Sequence, residues 1–410
     1  MRFISQCLIL LSFILFYSCT TDNNKLTEEK TPLKNYWSAF LQLNGDKQLP
    51  FLISINKDST DFQIYNDEEV IKLTNKMIKG DSLIYEFDTY NNYLILKIEE
   101  KTIQGYFVQP DRTNHKRIPL FAKKQGKNKP KEGFNTTSSV DGKWKVNFNA
   151  YKDDFYPAIG KFNQRKNGRI TGTFMTETGD YRFLDGYLSG QNLTLSTFDG
   201  SHAFLFEAKV KGDSLKGSFY SGSHWKTNWV AQKNDTFRLS DPNELTYLVK
   251  DTFKFEFPTV DNDPYFYPNK DLQGKITIIQ ILGTWCPNCM DETNFYKDLY
   301  DKYHNQGLEI IGVAYEYPSV FEKQVERVNN YTKALEVPYS ILIGGKASKS
   351  KAASDFNMLN DVSSFPTSIF INKKGEVVKI HTGFNGPGTG DVYDEYVKKT
   401  TDLIVKLINE

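Results

Sequence analysis

Ile276-Thr277-Ile278-Ile279-Gln280-Ile281-Leu282 runs directly into Gly283-Thr284-Trp285-Cys286-Pro287-Asn288-Cys289, and the reading of this stretch decides the fold of the C-terminal half. The leading run is short, apolar and β-branched, the pattern of a buried strand. Beyond the cysteines the pattern turns helical from Asp291 to Tyr303. Two cysteines spaced Cys-x-x-Cys, opening a helix straight after a buried strand, form the arrangement that thiol–disulfide exchange needs. Cys286 falls at an exposed turn where a helix N-terminus favours the thiolate, and Cys289 lies one turn in, placed to attack and release a mixed disulfide. Pro287 suits the first helical position, where a missing N–H costs nothing. The rival, a structural disulfide, would close a very small loop, and an exposed, strained bridge of that kind is labile.

The other two of the four cysteines, Cys7 and Cys19, lie in the N-terminal segment. Arg2 is followed by an apolar stretch from Cys7 to Tyr17, the length and order of a secretory signal and too short for a comfortable membrane span. Cys19 after the small Ser18 has the form of a lipoprotein cleavage site at which the new N-terminal cysteine is lipidated. Phe16 is bulkier than the usual Leu there, and an ordinary signal peptide is the alternative. An exported chain with no other cysteine pair uses Cys286 and Cys289 for redox chemistry. A zinc site needs about four ligands, and His115, His202, His224, His304 and His381 form no close pair that would complete one with these cysteines. No metal and no cofactor are expected.

The chain of 410 residues has room for two or three domains; 39% of it is hydrophobic and 25% charged, with a net charge of +1. That charge offers no electrostatic case for nucleic acid as a partner. Residues 1–19 read as a signal and 20–35 as a polar tether. Residues 36–124 and 140–235 read as β-rich modules of short alternating segments, separated by a Lys/Gly/Asn/Ser-rich break at Lys123–Ser139. The two modules look similar. Leu83–Asp88 parallels Leu193–Asp199, Ile103–Phe107 parallels Leu215–Tyr220, Phe121–Lys124 parallels Val230–Lys233, and Trp37 and Trp144 stand near each start. Two antiparallel barrels or sandwiches are expected, with their aromatic residues as core. They hold no nucleophile–base constellation, and a role as binding module, ligand holder or spacer stays open.

From about residue 245 to 410 strands alternate with helices and end in a hairpin and helix, the pattern of an α/β sheet domain. A strand within Asp251–Pro258 and a loop holding Pro264 and Pro268 precede it; the Gly/Pro-rich run Gly383–Gly390 reads as a surface connection. Three segments carry a resemblance: Gly283–Cys289, Ser363-Ser364-Phe365-Pro366-Thr367 before a strand, and Phe370-Ile371-Asn372-Lys373-Lys374-Gly375-Glu376-Val377. Over residues 251–410 the chain resembles the thioredoxin fold and, within it, the TlpA/ResA-like thiol–disulfide oxidoreductases of bacterial envelopes. The resemblance does not extend to the β-rich half.

The resemblance implies a nucleophile at Cys286, a resolving thiol at Cys289 and a functional glutamate at Glu292. On helical spacing Glu292 points to the Cys289 side and could accept its proton. Gln280 stands where thioredoxin carries a buried aspartate, as if the proton-handling group had moved from strand to helix. Pro366 is expected to be cis, its loop passing beside Cys286 and leaving backbone groups for an extended substrate. Phe365 would shape that groove, and Trp285 would offer a contact surface beside the sulfurs. The expected partners are disulfide-containing envelope proteins and a membrane thiol donor, with a lipid anchor holding the protein to a membrane of the periplasm or cell envelope. The rivals are a lipoprotein that binds partners through its β-rich half and a peroxiredoxin-like peroxidase, for which the expected Thr/Ser-x-x-Cys site is missing.

Overall fold

The computed structural model describes residues 34–74, 76–126, 136 and 138–410. The signal segment, Cys19, most of the tether, and residues 127–135 and 137 of the break lie outside the described residues. The first β-rich stretch is an up-and-down antiparallel sheet of nine strands. Its first strand, Lys34–Gln42, pairs with its last, Arg117–Gly126, and the sheet stays open between Glu69–Leu73 and Lys76–Lys79. The second stretch closes on itself. Gly142–Phe148 pairs with both Tyr156–Gln164 and Trp225–Lys233, and Tyr156–Gln164 pairs in turn with Arg169–Thr176. The three segment pairs that look alike in sequence fall on the sixth, eighth and ninth strands of both sheets, and Trp37 and Trp144 are buried on the two first strands.

The two-residue period of a strand explains how these sheets share one body. Inside the closed barrel Phe148, Phe174, Phe206, Phe219 and Trp229 make the core, with Phe206 and Phe219 stacked at 4.2 Å. Alternate residues on the same strands face outwards: Phe204 and Phe206 join the barrel core, while Ala203 and Leu205 join the core of the open sheet. Phe198 does the same, its ring 4.8 Å from Phe107 and 5.0 Å from Phe51. The closed barrel therefore covers apolar surface that an open sheet would leave to water.

The C-terminal part is a five-stranded sheet ordered Ser340–Lys346, Leu308–Glu316, Ile276–Leu282, Thr367–Ile371, Val377–Thr382. The first three strands run parallel, Thr367–Ile371 pairs antiparallel with Ile276–Leu282, and Val377–Thr382 pairs antiparallel with Thr367–Ile371. Helices α1 (Pro287–Tyr303), α2 (Phe321–Leu335), α3 (Lys349–Asp355) and α4 (Asp391–Asn409) complete it. Every residue of Ile276–Leu282 is buried, as a central strand covered on both faces requires. The segment before it forms a hairpin, Phe255–Pro258 with Pro264–Tyr267. The second strand of that hairpin was hidden in sequence because Pro264, read as a loop signal, is the first residue of a strand, a place where proline is tolerated. No helix of the described residues is long and apolar enough to cross a membrane.

Phe198→Ala should destabilise the protein by about 3–5 kcal/mol through the cavity it leaves between the two β-rich sheets. Urea unfolding measures this, and a loss under about 1 kcal/mol would mean that the two sheets do not share a packed core.

Candidate active site

The central strand Ile276–Leu282 ends at a tight turn that delivers Cys286 to the N-cap of α1, with Pro287 as the first helical residue. The Cys289 N–H donates to Cys286 Sγ at 3.3 Å, and the Cys286 thiol donates to the carbonyl of Phe365 at 3.5 Å. An N–H at a helix start aimed at a sulfur supports negative charge on that sulfur. Both cysteines are free thiols. Cys289 is fully buried, and burial, then the hydrogen bond to Cys286, push its pKa well above the usual thiol value. The Phe365–Pro366 peptide is cis, as expected.

Glu292 is completely buried one turn after Cys289. It accepts hydrogen bonds from Gln280 Nε2 at 2.9 Å, Ser368 Oγ at 3.0 Å and Tyr296 Oη at 3.2 Å. Burial raises its pKa to about 7 against the opposing pull of those donors. Gln280 and Glu292, singled out separately in the sequence, thus touch. A second buried acid, Glu316, accepts from the Thr284 N–H at 2.9 Å and its hydroxyl at 2.8 Å, and burial raises it to about 7 as well. It braces the turn from the far side. Trp285 is half-buried, its Nε1 donating to the Tyr315 carbonyl at 2.9 Å, and its ring lies against Tyr317 and Phe365.

The β-rich half reaches this site, and three expectations are corrected by it. Cys286 is not exposed: only 7% of its surface is open. The loop Gly383–Gly390 is not a surface connection, since its Gly386 N–H donates to Asp180 Oδ1 at 2.8 Å and Phe384 and Thr389 are buried. Nor does the Phe365–Pro366 loop lie open, because Ser364 Oγ donates to the carbonyl of Thr178 at 3.0 Å and the Pro366 carbonyl accepts from Gly383 N–H. The motif itself is held along its length. Ser201 Oγ donates to the Trp285 carbonyl at 2.9 Å, Arg182 to the Pro287 carbonyl at 3.2 Å, and Asn288 Nδ2 to Asp180 Oδ1 at 3.1 Å. Gly179 permits this approach: its φ is +139°, and a Cβ there would meet Asn288 Nδ2 at 2.6 Å.

Arg182 is the centre of the contact. It is buried, and its guanidinium engages Glu69 of the open sheet, Asp291 of α1 and, at 3.4 Å, Asp199 of the barrel. Burial alone would lower its pKa, but Asp291, Glu69 and Asp199 together raise it well above the ordinary value. One cation cannot neutralise three carboxylates, and burial pushes Asp291 up to about 7 despite the guanidinium beside it. None of these four residues was marked in the sequence. Arg182 sits singly among aromatic neighbours, and nothing in its spacing announces partners as far apart as residues 69 and 291. Among the described residues no group of three His, Cys, Asp or Glu side chains is placed to hold a metal.

Residues 248–396 match the Redoxin family. Thiol-disulfide oxidoreductase ResA of Bacillus thuringiensis subsp. konkukian is 30% identical over 134 residues, 32% of this chain and 67% of that protein. ResA of Bacillus anthracis is 33% identical over 132 residues, again 32% and 67% of the two chains. The crystal structure of StoA from Bacillus subtilis, 22% identical, covers 36% of this chain and 96% of its own with a TM-score of 0.26.

Glu316 and Glu292 have folded-state pKa values raised from 4.5 to about 7. The unfolded chain therefore binds fewer protons than the folded one between those values, and the contribution of these groups, full below about pH 4.5, is lost as pH rises to about 7. Glu316→Gln should flatten that fall in a pH series of urea midpoints; an unchanged slope would mean that Glu316 does not titrate there.

Proposed function

The chain belongs to the ResA-type thiol–disulfide oxidoreductases, its C-terminal part carrying a thioredoxin-like fold, and from that premise we propose that Cys286 and Cys289 are the dithiol with which it reduces disulfides of envelope proteins. The observation that carries this reading is the pair of free thiols at the start of α1 with the buried Glu292 one turn behind them. Deprotonated Cys286, supported by the Cys289 N–H, attacks one sulfur of a partner disulfide, and the other sulfur leaves as a thiol once protonated. Cys289 cannot ionise readily where it is buried, so a base is needed for its turn. Glu292, with its pKa near neutrality, takes that proton as Cys289 attacks Cys286 and releases the second thiol. Trp285 borders the approach to Cys286 and contacts the substrate, while Phe365, whose carbonyl accepts from the Cys286 thiol, positions the sulfur from the loop it shares with Pro366.

In this reading residues 1–19 are a lipoprotein signal, Cys19 carries the lipid, and 20–35 tether the protein to a membrane of the cell envelope, where a membrane thiol donor restores the dithiol. Residues 36–124 and 140–235 are two versions of one β-rich module, supported by the matching strand positions above, and 245–410 form the exchange unit.

Mixing the reduced protein with excess hydroxyethyl disulfide should release two equivalents of hydroxyethanethiol and leave a Cys286–Cys289 disulfide, followed by intact mass. Cys286→Ala should release none, and equal release from both proteins would reject the exchange reading. Glu292→Gln should slow resolution of the mixed disulfide by about a hundredfold. It should also abolish a rise in that rate as pH passes through about 7, where Glu292 loses its proton. A profile identical to the parent's would remove Glu292 from the mechanism.

A further inference from the structure

A cavity of about 500 Å³ borders the motif on the side of Trp285. Its walls come from all three parts of the molecule: Tyr90 and Arg112 from the open sheet, Ser201 and His224 from the closed barrel, Trp285 and Tyr317 from the exchange unit. Its volume lies within the range of small-ligand sites. Tyr317 connects it to the motif, since its ring lies 4.8 Å from that of Trp285, the residue before Cys286.

The charge in the cavity is unbalanced. Arg112 is half-buried, and its Nε donates to Gln109 Oε1 at 3.1 Å. Among the described residues no carboxylate forms an ion pair with its guanidinium. Its neighbour Asp111, which also lines the cavity, is taken by Arg327 of α2 at 3.3 Å and by Asn91 at 3.1 Å. His224 is kept neutral near pH 7 by partial burial and by the charges of Arg112 and His115, which lower its pKa to about 4. Arg112 therefore carries the positive charge, on a planar fork suited to a carboxylate. The broad surface on which a folded partner would lie is meanwhile occupied, because Ser201, Arg182, Asp180 and Thr178 hold the motif and the Phe365–Pro366 loop.

We propose that this cavity is the substrate site, and that it admits disulfides on a narrow, carboxylate-bearing chain whose carboxylate pairs with Arg112 while the disulfide meets Cys286. This rests on the exchange reading above and specifies its substrate class. The bond changes are those of exchange: the Cys286 sulfur bonds to the near substrate sulfur as the substrate S–S bond breaks, and the far sulfur leaves with the electron pair and takes a proton. Cys289 then displaces the near sulfur, leaving one protein disulfide and two substrate thiols, and dithiothreitol restores the dithiol in the assay.

The test compares glutathione disulfide, an extended peptide disulfide with Glu beside each Cys, and uncharged hydroxyethyl disulfide, using the full protein and Arg112→Gln and Arg112→Lys. For Arg112→Gln the ratio of kcat/KM for a carboxylated substrate to that for hydroxyethyl disulfide should fall about tenfold or more, mostly through KM, with partial recovery in Arg112→Lys. A fall confined to the peptide assigns the cavity to a polypeptide chain, and one confined to glutathione disulfide assigns it to a small thiol; either supports the site. Ratios unchanged for both carboxylated substrates overturn it while leaving the exchange reading intact. Reaction with none of the three disulfides would instead overturn the exchange reading itself.

Discussion

A guanidinium cannot be left in a protein interior without partners, and the burial of Arg182 sets the terms for the rest of the molecule. Its partners come from places that share no local structure: Glu69 on an edge strand of the open sheet, Asp199 in the closed barrel, and Asp291 and the Pro287 carbonyl on the first turns of α1. Separating any of these parts would strand a charge in a site built to exclude water. Arg182 also has a φ of +56°, a backbone state that a non-glycine residue keeps only where its surroundings hold it, and here its own N–H donates to Asp180 Oδ2 at 2.8 Å. The same Asp180 reaches Asn288 and Gly386. One short stretch of barrel, Gly179 to Arg182, thereby binds the turn that carries the cysteines.

The burial that follows from this contact accounts for the electrostatics of the site. Cys289, Glu292, Glu316 and Asp291 all lie away from water, and in each the largest influence on the proton is burial, which disfavours the charged form. Hydrogen bonds to Glu292 from Gln280, Ser368 and Tyr296 offset part of that effect and bring it to about neutrality, where a carboxylate can both hold and release a proton. With Ser201, Arg182 and Asp180 holding the motif, the cavity proposed above as the substrate site borders it at Trp285 and Tyr317.

Much of the exchange unit was legible because its signals are local. The all-apolar run Ile276–Leu282, the Cys-x-x-Cys, the proline at the helix start and the Phe365–Pro366 segment before a strand each report on their own few residues. Glu292 was legible through helical spacing together with the family resemblance, although its complete burial was not. The β-rich half was legible as strands and turns, and the paired segments pointed to like positions in two sheets. Whether each sheet closes was not, since that depends on contacts such as Tyr156–Gln164 with Arg169–Thr176 set against the missing pairing of Glu69–Leu73 with Lys76–Lys79. The outward-facing Ala203 and Leu205 read in sequence as ordinary alternation, and their apolar side chains belong to a different core from their neighbours Phe204 and Phe206.

The sequence by itself determined the dithiol, the strand and helix that present it, the carboxylate behind it and the β character of the N-terminal half. These follow from side-chain period, helix-start chemistry and cysteine spacing, all of which act over a few residues. Only the tertiary structure decided that the β-rich half lies on the dithiol, that Arg182 joins Glu69 to Asp291, and that Arg112 faces a cavity beside Trp285. Such pairings span from about a hundred to more than two hundred residues of chain. Charge complementarity between single residues that far apart leaves no periodicity to read, and it becomes visible only when burial forces each charge to find its partner.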